Sequence, residues 1–112
     1  MKIVRTTVFT KALKKLGATA ADIDALEAEV AINPNVGDVI PGMSGARKVR
    51  FSMGGKGKRG GGRAIYIAVV SKETIYLLTA YAKAKKDDLT PDDKAVLKAL
   101  ITVLIAQAGN MK

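Results

Sequence analysis

Three β-type runs separated by two short links constrain this chain more than any other feature. Residues 46–53 alternate, with Ala46, Lys48, Arg50 and Ser52 on one side and Arg47, Val49, Phe51 and Met53 on the other. That is the period of a strand. Residues 63–70 form a β-branched run, and Thr74 to Tyr81 is a third strand. Between them lie a glycine-rich basic link, residues 54–62, and a tight turn, Ser71-Lys72-Glu73. Links this short join antiparallel neighbours, whereas a parallel crossover needs roughly a dozen residues or more. The three runs therefore form an antiparallel meander, one face of which needs a cover.

Helices supply the cover. Between Val8 and Leu16, the residues Phe9, Ala12, Leu13 and Leu16 fall at i, i+3, i+4 and i+7, one apolar stripe, and Gly17 is a natural stop. Thr19 can cap a second helix, with Asp22 as its capping-box partner and Ile23, Leu26 and Val30 as its apolar face. Asn33-Pro34 closes it. Two helices with so short a link make an antiparallel hairpin. Residues 2–6 are compatible with a short extra strand, and residues 35–45, rich in Gly and Pro, read as a loop. Thr90-Pro91-Asp92-Asp93 opens a final helix, with a cap, a proline at the first helical position and acids in the first turn. This helix is apolar around much of its circumference. Deep burial is one reading of that; contact with a partner protein or a second subunit is the other. The expected class is α+β: a helix hairpin on a small antiparallel sheet, plus a C-terminal helix, in a single domain of residues 1–112.

Charge is distributed unevenly. The chain carries 19 Lys+Arg against 10 Asp+Glu, a net charge of +9. Residues 46–86 alone hold +10, with Glu73 as their one acid. Such a block points to a polyanionic partner. With no Cys and no His, disulfide scaffolds, the usual zinc and haem sites and every histidine-based acid–base scheme are excluded. Chemistry would have to use Lys, Arg, Tyr or a carboxylate. No apolar stretch approaches the roughly 20 residues of a membrane span. The N-terminal residues lack the apolar core of an export signal, so a cytoplasmic location is expected.

Four groups of residues could carry chemistry. The link Lys56-Gly57-Lys58-Arg59-Gly60-Gly61-Gly62-Arg63 sets cations among backbone able to approach a phosphate, though its order is not that of a P-loop. A floppy, charge-solubilised loop explains Lys56, Lys58 and Arg59 nearly as well. Lys48 and Arg50 share the face opposite Val49 and Phe51, so they should point away from the helices. Arg63 opens the next strand and Lys83 follows the third. Strands about 4.8 Å apart can bring these cations within about 10 Å of one another. Tyr81, at a strand end beside Lys83, could reach a phosphate or stack on a base. Tyr66 and Tyr76 read as packing. Asp87, Asp88, Asp92 and Asp93 resemble a metal cluster, but two of them sit in a helix's first turn, where capping is the better account.

The ordered series also resembles a known family. It runs from the helix hairpin through Asn33-Pro34, Gly37-Asp38-Val39-Ile40 and the basic strand Arg47-Lys48-Val49-Arg50 to the Gly/Lys/Arg link. It continues with Ile65-Tyr66, the stretch from Tyr76 to Lys83, and Asp88-Leu89-Thr90. This order is similar to the RelE/ParE superfamily of bacterial toxins, in particular the HigB-like branch. The resemblance implies a RelE-like fold and a toxin that cleaves mRNA in the ribosomal A site, with the substrate's own 2′-hydroxyl attacking the adjacent phosphate. It implies no cofactor or metal, and a cognate helix-turn-helix antitoxin as partner. By position, it makes Lys48, Arg50, Arg63, Lys83 and Tyr81 the catalytic set. Arg47, Lys56, Lys58, Arg59, Lys85 and Lys86 become RNA contacts. The chain departs from the pattern in having no aromatic residue after Tyr81. Proton transfer then falls to Tyr81 or to a lysine. A gyrase-inhibiting toxin of the ParE kind and a non-enzymatic nucleic-acid-binding module are the alternatives.

Overall fold

The structure, a computed structural model, describes residues 1–54, 61–86 and 88–110. The expectations for Lys56, Lys58, Arg59 and Asp87 lie outside the described residues. Five strands form the sheet: β1 (Lys2–Arg5), β2 (Asp38–Val39), β3 (Arg47–Phe51), β4 (Gly62–Val69) and β5 (Thr74–Ala82). Their spatial order is β1-β5-β4-β3-β2. The meander β3-β4-β5 is antiparallel throughout, as its short links require. Val70–Lys72 makes one 3-10 turn between β4 and β5, and Glu73 closes it at φ 49°. That is a left-handed conformation, uncommon for a residue with a side chain and tolerated in a turn.

The sheet has the short N-terminal strand that residues 2–6 allowed at one edge, and a strand that was read as loop at the other. β1 is present and runs parallel to β5, pairing Lys2–Arg5 with Thr74–Leu77. Two residues of the expected loop, Asp38 and Val39, pair with Lys48 and Arg47 as β2. Both are exposed, so they carried no apolar period to be recognised by. The sheet is therefore mixed and five-stranded rather than a bare meander.

Helices cover both faces. α1 (Thr7–Leu13) and α2 (Ala20–Ile32) lie on one side. Phe9, Ile23, Leu26 and Val30 pack there against Val49, Phe51, Ala64, Tyr66, Ile75 and Leu77. Thr6 caps α1 by accepting from the Phe9 N–H at 3.2 Å, and its own hydroxyl donates to the Leu77 carbonyl at 2.8 Å. α1 ends three residues earlier than the stripe to Leu16 suggested. Lys15 and Leu16 turn through i to i+3 hydrogen bonds, and Leu16 still packs on the core. Thr19 and Asp22 cap α2 reciprocally, at 3.1 and 2.9 Å.

The C-terminal helix α3 (Pro91–Asn110) covers the other face, through Leu97, Ile101 and Leu104 against Ile65, Ile67 and Leu78. That face was expected to be open to solvent. It is instead a second core, because Ile65, Ile67 and Leu78 are too apolar to be left wet. The deep burial expected of α3 holds for one stripe only. One stripe is buried, while Val96, Val103 and Ile105 stay 44–57% exposed.

One polar anchor joins the first core to the β2 hairpin. Tyr66 is fully buried in β4, and its hydroxyl donates to the Pro34 carbonyl at 2.7 Å. The same oxygen accepts from the Gly37 N–H at 3.0 Å. A Cβ on Gly37 would lie 2.8 Å from the Lys48 carbonyl oxygen, so only glycine fits there. Tyr66→Phe should leave a buried N–H and a partly buried carbonyl unpaired, at a cost of about 1–3 kcal/mol. Urea unfolding should show a lowered midpoint at unchanged slope.

Candidate phosphate-binding site

The site follows from strand register. Arg50 pairs with Arg63 across β3 and β4, and Arg63 pairs with Tyr81 across β4 and β5. Residues directly opposite one another point to the same face. Arg50, Arg63 and Tyr81 thus form one row on the α3 side of the sheet, spanning about 10 Å at the usual strand spacing. Lys48 lies in the next row, opposite Ile65, which in turn pairs with Thr79. Val49 and Phe51, buried under α1 and α2, fix that orientation.

Exposure grades along the row. Arg50 is exposed. Arg63 is only 7% exposed, and its Nη1 donates to the Gly62 carbonyl at 3.1 Å. Tyr81 is also 7% exposed, and its hydroxyl has no hydrogen-bond partner among the described residues. Burial, reinforced by Asp88 and opposed by the positive charge of Arg63, pushes that hydroxyl up to about 12. It therefore keeps its proton at neutral pH.

Two carboxylates border the cations. Lys48 Nζ lies 3.4 Å from Asp88 Oδ1, which also accepts from the Leu89 N–H at 2.8 Å. That backbone hydrogen bond, outweighing partial burial and aided by Lys48, holds Asp88 below the usual carboxylate range. Lys86 is ion-paired with Asp93 and stands 5.8 Å from the centre of the Tyr81 ring. Tyr81, Thr79, Lys86, Leu89 and Asp93 line a cavity of about 120 Å³ between β5 and the start of α3. Asp92 and Asp93 both lie in the first turn of α3, and Asp93 caps it. Asp93 and Thr90 form a reciprocal cap on α3, and no metal-holding cluster is present among the described residues.

The structure thus gathers Lys48, Arg50, Arg63 and Tyr81 from three strands. Lys83 follows directly after β5, half-buried, with its N–H donating to the Gly61 carbonyl at the mouth of β4. Lys85 lies in the turn beyond, exposed, and Lys86 closes over Tyr81. Arg47 is placed apart. It pairs with Tyr66, on the other face, and its Nη1 donates to the Gly37 carbonyl at 2.8 Å, bracing the β2 hairpin. Sequence reasoning missed the part played by Asp88 and Asp93 beside the cations, having read the acids for capping or metal alone. Their alternation with Lys85, Lys86 and Lys94 was the available signal.

Comparison with known proteins agrees with this fold. The family model described as the RelE toxin of the RelE / RelB toxin-antitoxin system matches residues 1–111. Among solved structures, the isolated E. coli RelE toxin in its P21 crystal form is similar at a TM-score of 0.58 and 16% sequence identity, over 88% of this chain and 97% of that one. A double arginine-to-alanine mutant of E. coli RelE in the free state is similar at a TM-score of 0.54 and 16% identity, over 77% of this chain and 86% of that one. At this identity, the structures speak for the fold. Matched by the family model over all but its last residue, the chain belongs to the RelE toxin family.

Proposed function

We propose that this chain is a ribosome-dependent endoribonuclease that arrests translation by cutting mRNA in the ribosomal A site. The reading places it in the cytoplasm, in the HigB-like branch, opposite a helix-turn-helix antitoxin. The observation that carries it is the register row Arg50–Arg63–Tyr81 with Lys48 one row away. Fixed like charges on neighbouring strands cost stability, and a bound phosphodiester offsets that cost.

The chemistry uses what the row supplies. The substrate's 2′-hydroxyl gives its proton to a lysine or to solvent water, its oxygen attacks phosphorus, the bond to the 5′-oxygen breaks, and a 2′,3′-cyclic phosphate and a 5′-hydroxyl result. Negative charge builds on the non-bridging oxygens. The Arg63 guanidinium, held in place by the Gly62 carbonyl, offers a planar fork for two of them. Arg50 and Lys48 stand where they can hold the same phosphate or its neighbour, Lys48 by exchanging Asp88 for the substrate. Lys83 adds positive charge at the end of β5. Tyr81, protonated and without a hydrogen-bond partner among the described residues, is suited to give a proton to the departing 5′-oxygen. In this scheme the side chains supply the positive charge that a metal ion would otherwise bring.

Arg63→Ala should lower mRNA cleavage in a translation extract by about 10²- to 10³-fold. Arg63→Lys should recover little of it, because the fork is lost while the charge stays. Cleavage is read by primer extension across the A-site codon. Full cleavage by Arg63→Ala would overturn the assignment, and ribosome or RNA binding with no cleavage by the wild type would leave only a binding module.

Tyr81→Phe should slow cleavage by about 10²-fold. Its pH signature has a definite sign. The folded hydroxyl titrates near 12, above its ordinary value of 10, so the neutral phenol is the form the fold favours. Its contribution to stability is complete below pH 10 and is lost as pH rises from 10 through 12. Unfolding midpoints of the wild type should therefore fall more steeply over that window than those of Tyr81→Phe.

A further inference from the structure

The outer edge of the sheet sets an acid beside the cations. Asp38 in β2 pairs directly with Lys48 in β3, so its side chain lies on the same face, one strand further out. It is exposed, and its carboxylate has no ion pair or side-chain hydrogen bond among the described residues. A bare carboxylate at the border of a cation row weakens the hold on phosphate. Phosphate binding therefore does not account for it.

β2 also stops short. It pairs with Arg47 and Lys48 only, so residues 49–51 of β3 have β4 on one side and no strand on the other among the described residues. In an antiparallel strand, alternate residues turn their N–H and C=O to the same side. The Ala46 carbonyl points outward and accepts from the Ile40 N–H at 2.9 Å. Lys48 follows in the same sense, facing Asp38. Arg50 is next, and its N–H and C=O turn to the open edge. There Asp38, Lys48 and Arg50 line a recess of about 210 Å³, with Val36 and Val49 as its apolar part and Glu29 beyond. Strand spacing and rise put the Asp38 and Arg50 Cα atoms about 8 Å apart.

These groups match the edge of one base. Bases in single-stranded RNA are read on their Watson–Crick edges. Guanine presents O6 as an acceptor, followed by N1–H and N2–H as adjacent donors. A carboxylate only accepts, and through two oxygens. Asp38 can take both donors while the Arg50 N–H donates to O6. Adenine and cytosine place a bare ring nitrogen where guanine has N1–H, and uracil offers one donor between two acceptors. Each of these sets a lone pair against the carboxylate. We propose that the recess reads a guanine of the mRNA, next to the phosphate held by the Arg50 side chain, with Asp38 as the specificity-determining residue. This rests on the nuclease reading above, which sets the RNA backbone along the Arg50–Arg63 row.

The test compares the wild type with Asp38→Asn, which keeps the shape but adds a donor where two acceptors stood. Asp24→Asn is the control, removing the same charge from an exposed position on α2. Cleavage is read by primer extension in a translation extract, on messages whose A-site codons carry each base in turn at each position. The wild type should favour guanine at one position. Asp38→Asn should lower the ratio of guanine to non-guanine cleavage about tenfold, and Asp24→Asn should leave it unchanged. An unchanged ratio in Asp38→Asn would overturn the proposal and leave Asp38 as a charge that blunts the sheet edge. Equal change at all four bases would overturn it too, since that is charge alone. A second arm titrates the chain with 2′-O-methyl trinucleotides, which lack the attacking hydroxyl. If the wild type cleaves no message yet binds the guanine trinucleotide best, and Asp38→Asn loses that preference, the base site stands and the nuclease reading falls. Equal or undetectable binding in that case would overturn both.

Discussion

The pairing of β4 between β3 and β5 is the constraint on which everything else in this molecule depends. β4 is buried along most of its length, with one core on each side. It therefore cannot slide: a slip of one residue would send Arg63 into the α1–α2 core and expose Tyr66 or Ile65 to the wrong layer. The two cores thus hold the site in register. Arg63 stands between Arg50 and Tyr81 because Ala64 and Tyr66 must face the helices on the opposite side.

β5 carries an irregularity that makes this work. Ile65 pairs with Thr79 while Tyr66 pairs with Leu77, so Leu78 is an extra residue in the strand. Before it, Ile75 and Leu77 face α1 and α2; after it, Ala80 does. Tyr76, Leu78 and Tyr81 accordingly share the α3 side, although strict alternation would divide them. The bulge switches the parity of the strand halfway along and aims Tyr81 at Arg63.

That switch marks the limit of what the sequence made legible. The orientation of Lys48 and Arg50 could be read directly, since Val49 and Phe51 alternate with them and had to be buried. By the same parity Arg47 belonged on the core side, and the structure puts it there, tied to the Gly37 carbonyl. Helix caps were legible because Thr19 with Asp22 and Thr90 with Asp93 are local chemistry. β2 was not, having two exposed residues and no period. The cover that α3 lays over the second face was hidden too, because an apolar helix announces burial but not its location. Lys11 and Lys15 come beside Lys85 and Lys86 only through the fold, and no count along the chain can show that.

The reciprocal cap of α3 has a mechanical side. Asp93 Oδ2 accepts from the Thr90 N–H that begins the helix, and the same oxygen holds the Lys86 ammonium above Tyr81. One atom serves as both the anchor of a helix end and the catch on a flap of side chain. Lys86 can therefore leave for a competing anion without undoing the cap, because the Thr90 N–H still holds the oxygen that the ammonium gives up.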